Sequence, residues 1–132
     1  MEKIPLFLYG TLKAGGSLDS FSVNERVIIE AELKGAALYD LGAFPGLKLD
    51  AKSTVKGEVH IYKSLAAYKK VLKILDFIEG YKGRRDDLFK RVIVEIRLAS
   101  GETTEAFAYL YNRPVSEEQR IASGRWPRPS RL

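Results

Sequence analysis

One segment of this chain clearly repeats its apolar residues at helical spacing. Leu65, Tyr68, Val71, Leu72, Leu75 and Ile78 follow at steps of three, three, one, three and three, which draws a single apolar stripe. Ser64 is placed to cap its start and Gly80 to end it in the left-handed conformation. Lys69, Lys70 and Lys73 fall mostly off the stripe, toward solvent. The other apolar residues run in short blocks or alternate, the spacing of strands. One main helix among many strands predicts an α+β fold, a curled and largely antiparallel sheet or barrel.

The strands are expected at Ile4 to Tyr9, Val27 to Leu41, Val55 to Tyr62, Leu88 to Leu98 and Thr104 to Tyr111. The second of these is long and predicts one bent strand with a break near Gly35. In Val55 to Tyr62, Val59 and Ile61 face one way and Glu58, His60 and Tyr62 the other. Phe107, Tyr109 and Tyr111 share a face of the last strand. Lys13 to Ser17 reads as a flexible loop, Phe44-Pro45-Gly46-Leu47 as a turn with an aromatic anchor, and Ala99-Ser100-Gly101-Glu102 as a hairpin turn. Glu117 to Ser123 predicts a short closing helix. No internal repeat or long linker divides the chain, so one domain over residues 1–132 is expected, with a basic C-terminal tail from about 125.

Composition excludes several chemistries. With no cysteine there is no disulfide, thiolate metal site or cysteine nucleophile, and the lone histidine, His60, rules out a multi-histidine zinc site. His60 reads as a packing or hydrogen-bonding residue, and Trp126 as one that packs the terminus onto the core. No apolar run approaches the roughly 18 residues of a membrane span, and the start enters a strand without a secretory signal, so a cytoplasmic protein is expected. Scarce Asn, Gln and Met beside 30% charged residues fit a thermophilic source. Of the net charge of +5, residues 113–132 supply five arginines against two glutamates, 5 − 2 = +3. These read as a solvated arginine-rich terminus, and Arg84-Arg85-Asp86-Asp87 as a solvated, self-compensating loop.

Two short segments suggest chemistry. Tyr9-Gly10-Thr11-Leu12 ends an apolar strand at a glycine, where the backbone can approach a ligand and successive N–H groups can form an anion-binding nest. Glu79 ends the helical stripe. A carboxylate at a helix C-terminus meets the negative end of the dipole, and Asp76, three residues earlier, adds like-charge repulsion. Burial beside Phe77 or Ile78 would raise the proton affinity of Glu79 further, as a general base near neutral pH requires.

These segments resemble the gamma-glutamylcyclotransferase-like superfamily, including its gamma-glutamylamine cyclotransferase branch and the avirulence-induced-gene-like proteins. The resemblance runs through Phe7 to Lys13, Leu38 to Leu47, Val55 to Val59, Leu75 to Tyr81, Phe89-Lys90-Arg91, Ala108 to Tyr111 and Gly124-Arg125-Trp126, in that order. It implies a small mixed, mainly antiparallel β-barrel with one main helix and short peripheral helices. It also implies Glu79 as catalytic acid/base, and Tyr9, Gly10, Thr11, Leu12 and Tyr111 as substrate contacts. The implied reaction converts a gamma-glutamyl amine or peptide to 5-oxoproline and free amine, with no cofactor and no metal. The implied partner is a small gamma-glutamyl molecule; from the residues themselves no membrane partner is expected and nucleic acid is the less favoured one, and the oligomeric state stays open. One departure is visible: the family often has Tyr-x-Arg where this chain has Phe89-Lys90-Arg91, so a hydroxyl that could touch substrate is absent. Two other readings stand beside the enzyme. One is a non-catalytic small-ligand-binding domain of the same fold. The other is a basic module for nucleic acid or an acidic partner, resting on the arginine-rich tail.

Overall fold

The computed structural model describes residues 3–10 and 26–126. Its elements are β1 (Leu6–Leu8), β2 (Arg26–Asp40), β3 (Pro45–Tyr62), α1 (Leu65–Glu79), β4 (Phe89–Leu98) and β5 (Thr103–Tyr111), followed by a 3-10 turn at Glu117–Gln119. The five strands close into a barrel in the order β1-β3-β2-β4-β5. All neighbours are antiparallel except β1 and β5, which pair in parallel at Leu6 and Phe107.

A barrel of five strands is narrow, and its interior is filled by side chains. Phe7, Tyr9, Leu33, Leu38, Leu47, Val55, Val59 and Ile96 fill it, with the small Ala106 and Ala108 of β5 making room. The alternate residues of β1, β3 and β5 turn outward beneath the helix. There Leu6, Leu8, Tyr62 and Tyr109 meet Tyr68, Val71, Leu72 and Leu75, the stripe expected from the sequence. Because both faces of β1 are buried, its apolar residues are consecutive and not alternating. The same outward face carries His60, which is fully buried and accepts a hydrogen bond at Nδ1 from Arg26 Nε at 3.1 Å.

Several local expectations need correction. The stretch Phe44 to Leu47 is not a turn. The turn ends at Phe44, where the Leu41 N–H donates to the Phe44 carbonyl at 3.1 Å, and Pro45 opens β3. Proline is tolerated there because the first strand residue need not donate. β3 therefore starts ten residues before the expected Val55, its first half pairing with the outer arm of β2. The bend of β2 falls as expected at Gly35, with φ 83° and a register shift between Lys34 and Ala36. The closing helix is shorter than expected, a single 3-10 turn.

The loop from Arg84 to Asp87 is not merely a solvated stretch. Asp87 is buried, and its Oδ2 accepts the backbone N–H groups of Lys82 at 2.7 Å and Arg84 at 2.9 Å. Nor are all the tail arginines free in solvent. Arg113 donates to the carbonyls of Asp86, Asp87 and Asn112. Arg120 donates to Asp50, Glu117, Ser53 and the Tyr39 hydroxyl. These contacts strap residues 116–126 across the barrel, where Trp126 packs against the core cluster as expected. The expected loop at Lys13 to Ser17 and the tail beyond Trp126 lie outside the described residues.

Candidate active site

The end of α1 sets the position of Glu79. Ser64 Oγ accepts the Ala67 N–H at 3.2 Å and fixes the helix start. At the other end Gly80 turns to φ 68°, which lets the Tyr81 N–H return to the Asp76 carbonyl at 2.8 Å. The Asp87-centred loop then holds the chain before it enters β4. Glu79 is thus the last helical residue before a rigid reversal, and its side chain turns toward the end of β1.

There it joins Phe7, Leu8, Tyr9, Gly10, Phe44, Pro45 and Tyr109 around one narrow cleft. Gly10 is required by the approach of β1 to β3, since a Cβ at this position would lie 2.9 Å from Pro45 Cγ and 3.1 Å from Cδ. Glu79 as a whole residue is half-buried, but its carboxyl lies among apolar and aromatic walls, and this burial pushes it up to about 7. The expected repulsion from Asp76 is not the cause. The Asp76 carboxylate is engaged elsewhere, accepting Arg91 Nη1 at 2.5 Å and the Tyr109 hydroxyl at 2.7 Å. Tyr9 donates its hydroxyl to the Tyr109 carbonyl at 2.6 Å, and burial, reinforced by Glu79, raises the Tyr9 phenol well above its ordinary value.

Of the residues singled out from the sequence, Glu79, Tyr9 and Gly10 meet at this cleft. Tyr111 is not among its lining: its ring packs 5.3 Å from Phe89, which in turn lies 6.0 Å from Phe44. Phe89, at the position of the absent tyrosine hydroxyl, is buried one ring behind the wall. Thr11 and Leu12 lie outside the described residues. Tyr109, Phe44 and Pro45 were not anticipated as lining; the shared face of Phe107, Tyr109 and Tyr111 was the signal for Tyr109. Among the described residues no group of three or more His, Cys, Asp or Glu could hold a metal ion, and no helix is long and apolar enough to cross a membrane.

The cleft has a volume of about 30 Å³. A larger groove of about 660 Å³ lies between β2 and β4, lined by Glu30, Glu32, Lys56, Arg97 and Arg125 among others. It is open and mixed in charge. The small cleft, with its shifted acid, is the site of chemical interest.

The fold is a closed five-stranded barrel with one covering helix, and at that helix's end an acid faces an apolar cleft. The chain belongs to the gamma-glutamyl cyclotransferase, AIG2-like family, whose pattern matches residues 6–128. A Vibrio cholerae protein provisionally named a gamma-glutamylcyclotransferase is 32% identical over 124 residues, covering 92% of this chain and 93% of its own. The gamma-glutamylcyclotransferase family protein YtfP of Escherichia coli K12 is 26% identical over 121 residues, covering 92% and 94%. The solution structure of E. coli ytfP superposes with a TM-score of 0.63 at 28% identity, over 93% of this chain and 96% of that one. A structure titled gamma-glutamyl cyclotransferase gives 0.63 at 16% identity, over 83% and 66%, a likeness of fold alone.

Proposed function

We propose that this protein is a cofactor-independent gamma-glutamylcyclotransferase that releases 5-oxoproline and a free amine from a gamma-glutamyl compound. The observation that carries the reading is the Glu79 carboxyl, raised to about 7 in an apolar cleft at the end of β1. Such a carboxyl both accepts and returns protons at neutral pH.

The α-ammonium of the substrate gives a proton to Glu79 and becomes a nucleophile. Its lone pair attacks the side-chain carbonyl carbon, forming the ring C–N bond and placing charge on the carbonyl oxygen. Backbone N–H groups at Gly10, and at Thr11 and Leu12 beyond it, are the proposed donors to that oxygen. The intermediate collapses as the old C–N bond breaks, its electron pair staying with the departing nitrogen. Glu79 protonates that nitrogen, which avoids expulsion of an amide anion. In all, two protons leave the α-nitrogen and two reach the amine, which departs as an ammonium. Folding the glutamyl chain back onto itself is the costly step, and a shaped cleft can contribute several kcal/mol by orientation.

Incubation with a panel of gamma-glutamyl amines and gamma-glutamyl peptides, with 5-oxoproline scored by mass, tests the reading. Product formed by the wild type and lost in Glu79→Gln supports it. No product from any member of the panel leaves a ligand-binding domain and defeats the enzyme.

A further inference from the structure

The reaction outlined above uses Glu79 and the backbone near Gly10, and leaves a second, partly buried network without a task. Asp76 lies one turn before Glu79. Its Oδ1 accepts the Tyr109 hydroxyl at 2.7 Å and its Oδ2 accepts Arg91 Nη1 at 2.5 Å. The guanidinium of Arg91 is itself fixed between two rings, 4.8 Å from the Phe107 centroid and 5.1 Å from that of Tyr81. Tyr109 is held twice: by its hydroxyl to Asp76 on the helix, and by its carbonyl to the Tyr9 hydroxyl at 2.6 Å. Tyr9, Tyr109 and Glu79 are three of the walls of one cleft.

We propose that Asp76, clamped by Arg91, is a positioning residue that acts through Tyr109 to keep the wall beside Glu79 dry and in register. The inference rests on Glu79 as the acid/base. Three features favour a positioning role over ordinary packing. The carboxylate is neutralised by Arg91, so its proximity adds no repulsion to Glu79. Its hydrogen bond fixes a ring that faces the reacting acid. The bond also ties the helix that carries Glu79 to the strand that carries the opposing wall. Without it, water can take the free Asp76 oxygen and reach the helix end.

Among the described residues, the charged and titratable groups around Glu79 are Tyr9 beyond β1, Tyr109 from β5, Asp76 on its own helix and Arg91 on β4 behind Tyr109. Tyr109→Phe changes no charge in this set, which makes it the decisive variant. A ¹³C-NMR titration of the Glu79 carboxyl, requiring no turnover, should show its midpoint falling by about one pH unit as water enters beside it. Under the same conditions kcat should fall about ten-fold with KM within about two-fold, and the acid limb of the rate profile should move down with the NMR midpoint. Asp76→Asn, which keeps an oxygen for Tyr109, should retain more activity than Asp76→Ala. Adding Tyr109→Phe to Asp76→Ala should cost little more. An unchanged Glu79 midpoint in a folded Tyr109→Phe protein overturns the positioning role even if the wild type turns over. A shifted midpoint in a protein whose wild type forms no 5-oxoproline upholds the positioning and rejects the enzyme.

Discussion

Gly10 and Pro45 approach so closely that the cleft depends on an absent side chain: a Cβ at Gly10 would meet Pro45 Cγ at 2.9 Å. The contact joins the end of β1 to the start of β3, and the two residues line the cleft beside Glu79. The ring of Pro45 is rigid, so it cannot swing aside as a flexible side chain would.

Gly10→Ala is therefore expected to destabilise the fold by about 1–3 kcal/mol, the range of overpacking, and to lower turnover by displacing that wall. Urea unfolding measures the first effect. Gly10→Ala with Pro45→Ala should recover much of the stability; if the double variant is no better than the single, the clash is not the cause.

Glu79 predicts a stability that depends on pH. Its folded value of about 7 lies above the ordinary 4.5, so between these values the native state binds more protons than the unfolded one. Stability should consequently decline as pH rises from about 4.5 to about 7 and then level, by an upper bound of about 3 kcal/mol. Glu79→Gln should lack this decline and exceed the wild type in melting temperature at pH 8. The two melting profiles recorded from pH 4.5 to 8 check this, and parallel profiles would contradict the buried acid. In the same variant turnover should be lost, while the wild-type rate should rise through an acid limb centred near pH 7.

Asp87 anchors the reversal between α1 and β4 through two backbone N–H groups. Removing the acceptor in Asp87→Ala leaves those donors to water and should cost about 1–3 kcal/mol. Because this loop follows Glu79 by only a few residues, faster amide exchange at Lys82 and Arg84 should accompany a lower kcat. Unchanged exchange would assign the loop's order to the Arg113 contacts instead.

Arg120 holds the strap over the barrel through Asp50 at 2.5 Å, Ser53 at 2.8 Å and Glu117 at 2.9 Å. The pair with Asp50 is partly exposed, so Arg120→Met should lower overall stability only slightly. Its local effect should be larger. The Ile121 N–H donates to the Leu38 carbonyl at 2.8 Å, and its exchange should quicken while amides of β4 and β5 stay protected. Unchanged protection at Ile121 would mean that the Trp126 packing alone secures the strap.

Much of this fold was legible because periodicity is a local property. The stripe from Leu65 to Ile78, its caps at Ser64 and Gly80, the bend at Gly35 and the shared face of Phe107, Tyr109 and Tyr111 follow from residue spacing and φ preference alone. Glu79 was identifiable as a carboxylate in an unfavourable place at the end of that stripe. What surrounds it was not. The expected repulsion from Asp76 gives way to burial, because Arg91 and Tyr109, 15 and 33 residues away, occupy the Asp76 oxygens. Asp87 and Arg120 read as solvated charges, yet each finds partners, Asp87 in the backbone around it and Arg120 up to 81 residues away. Closure of the barrel decides such pairings. It brings β1 beside β5 and α1 over both, and a side chain's dielectric surroundings and hydrogen-bond partners exist only once those distant strands have met.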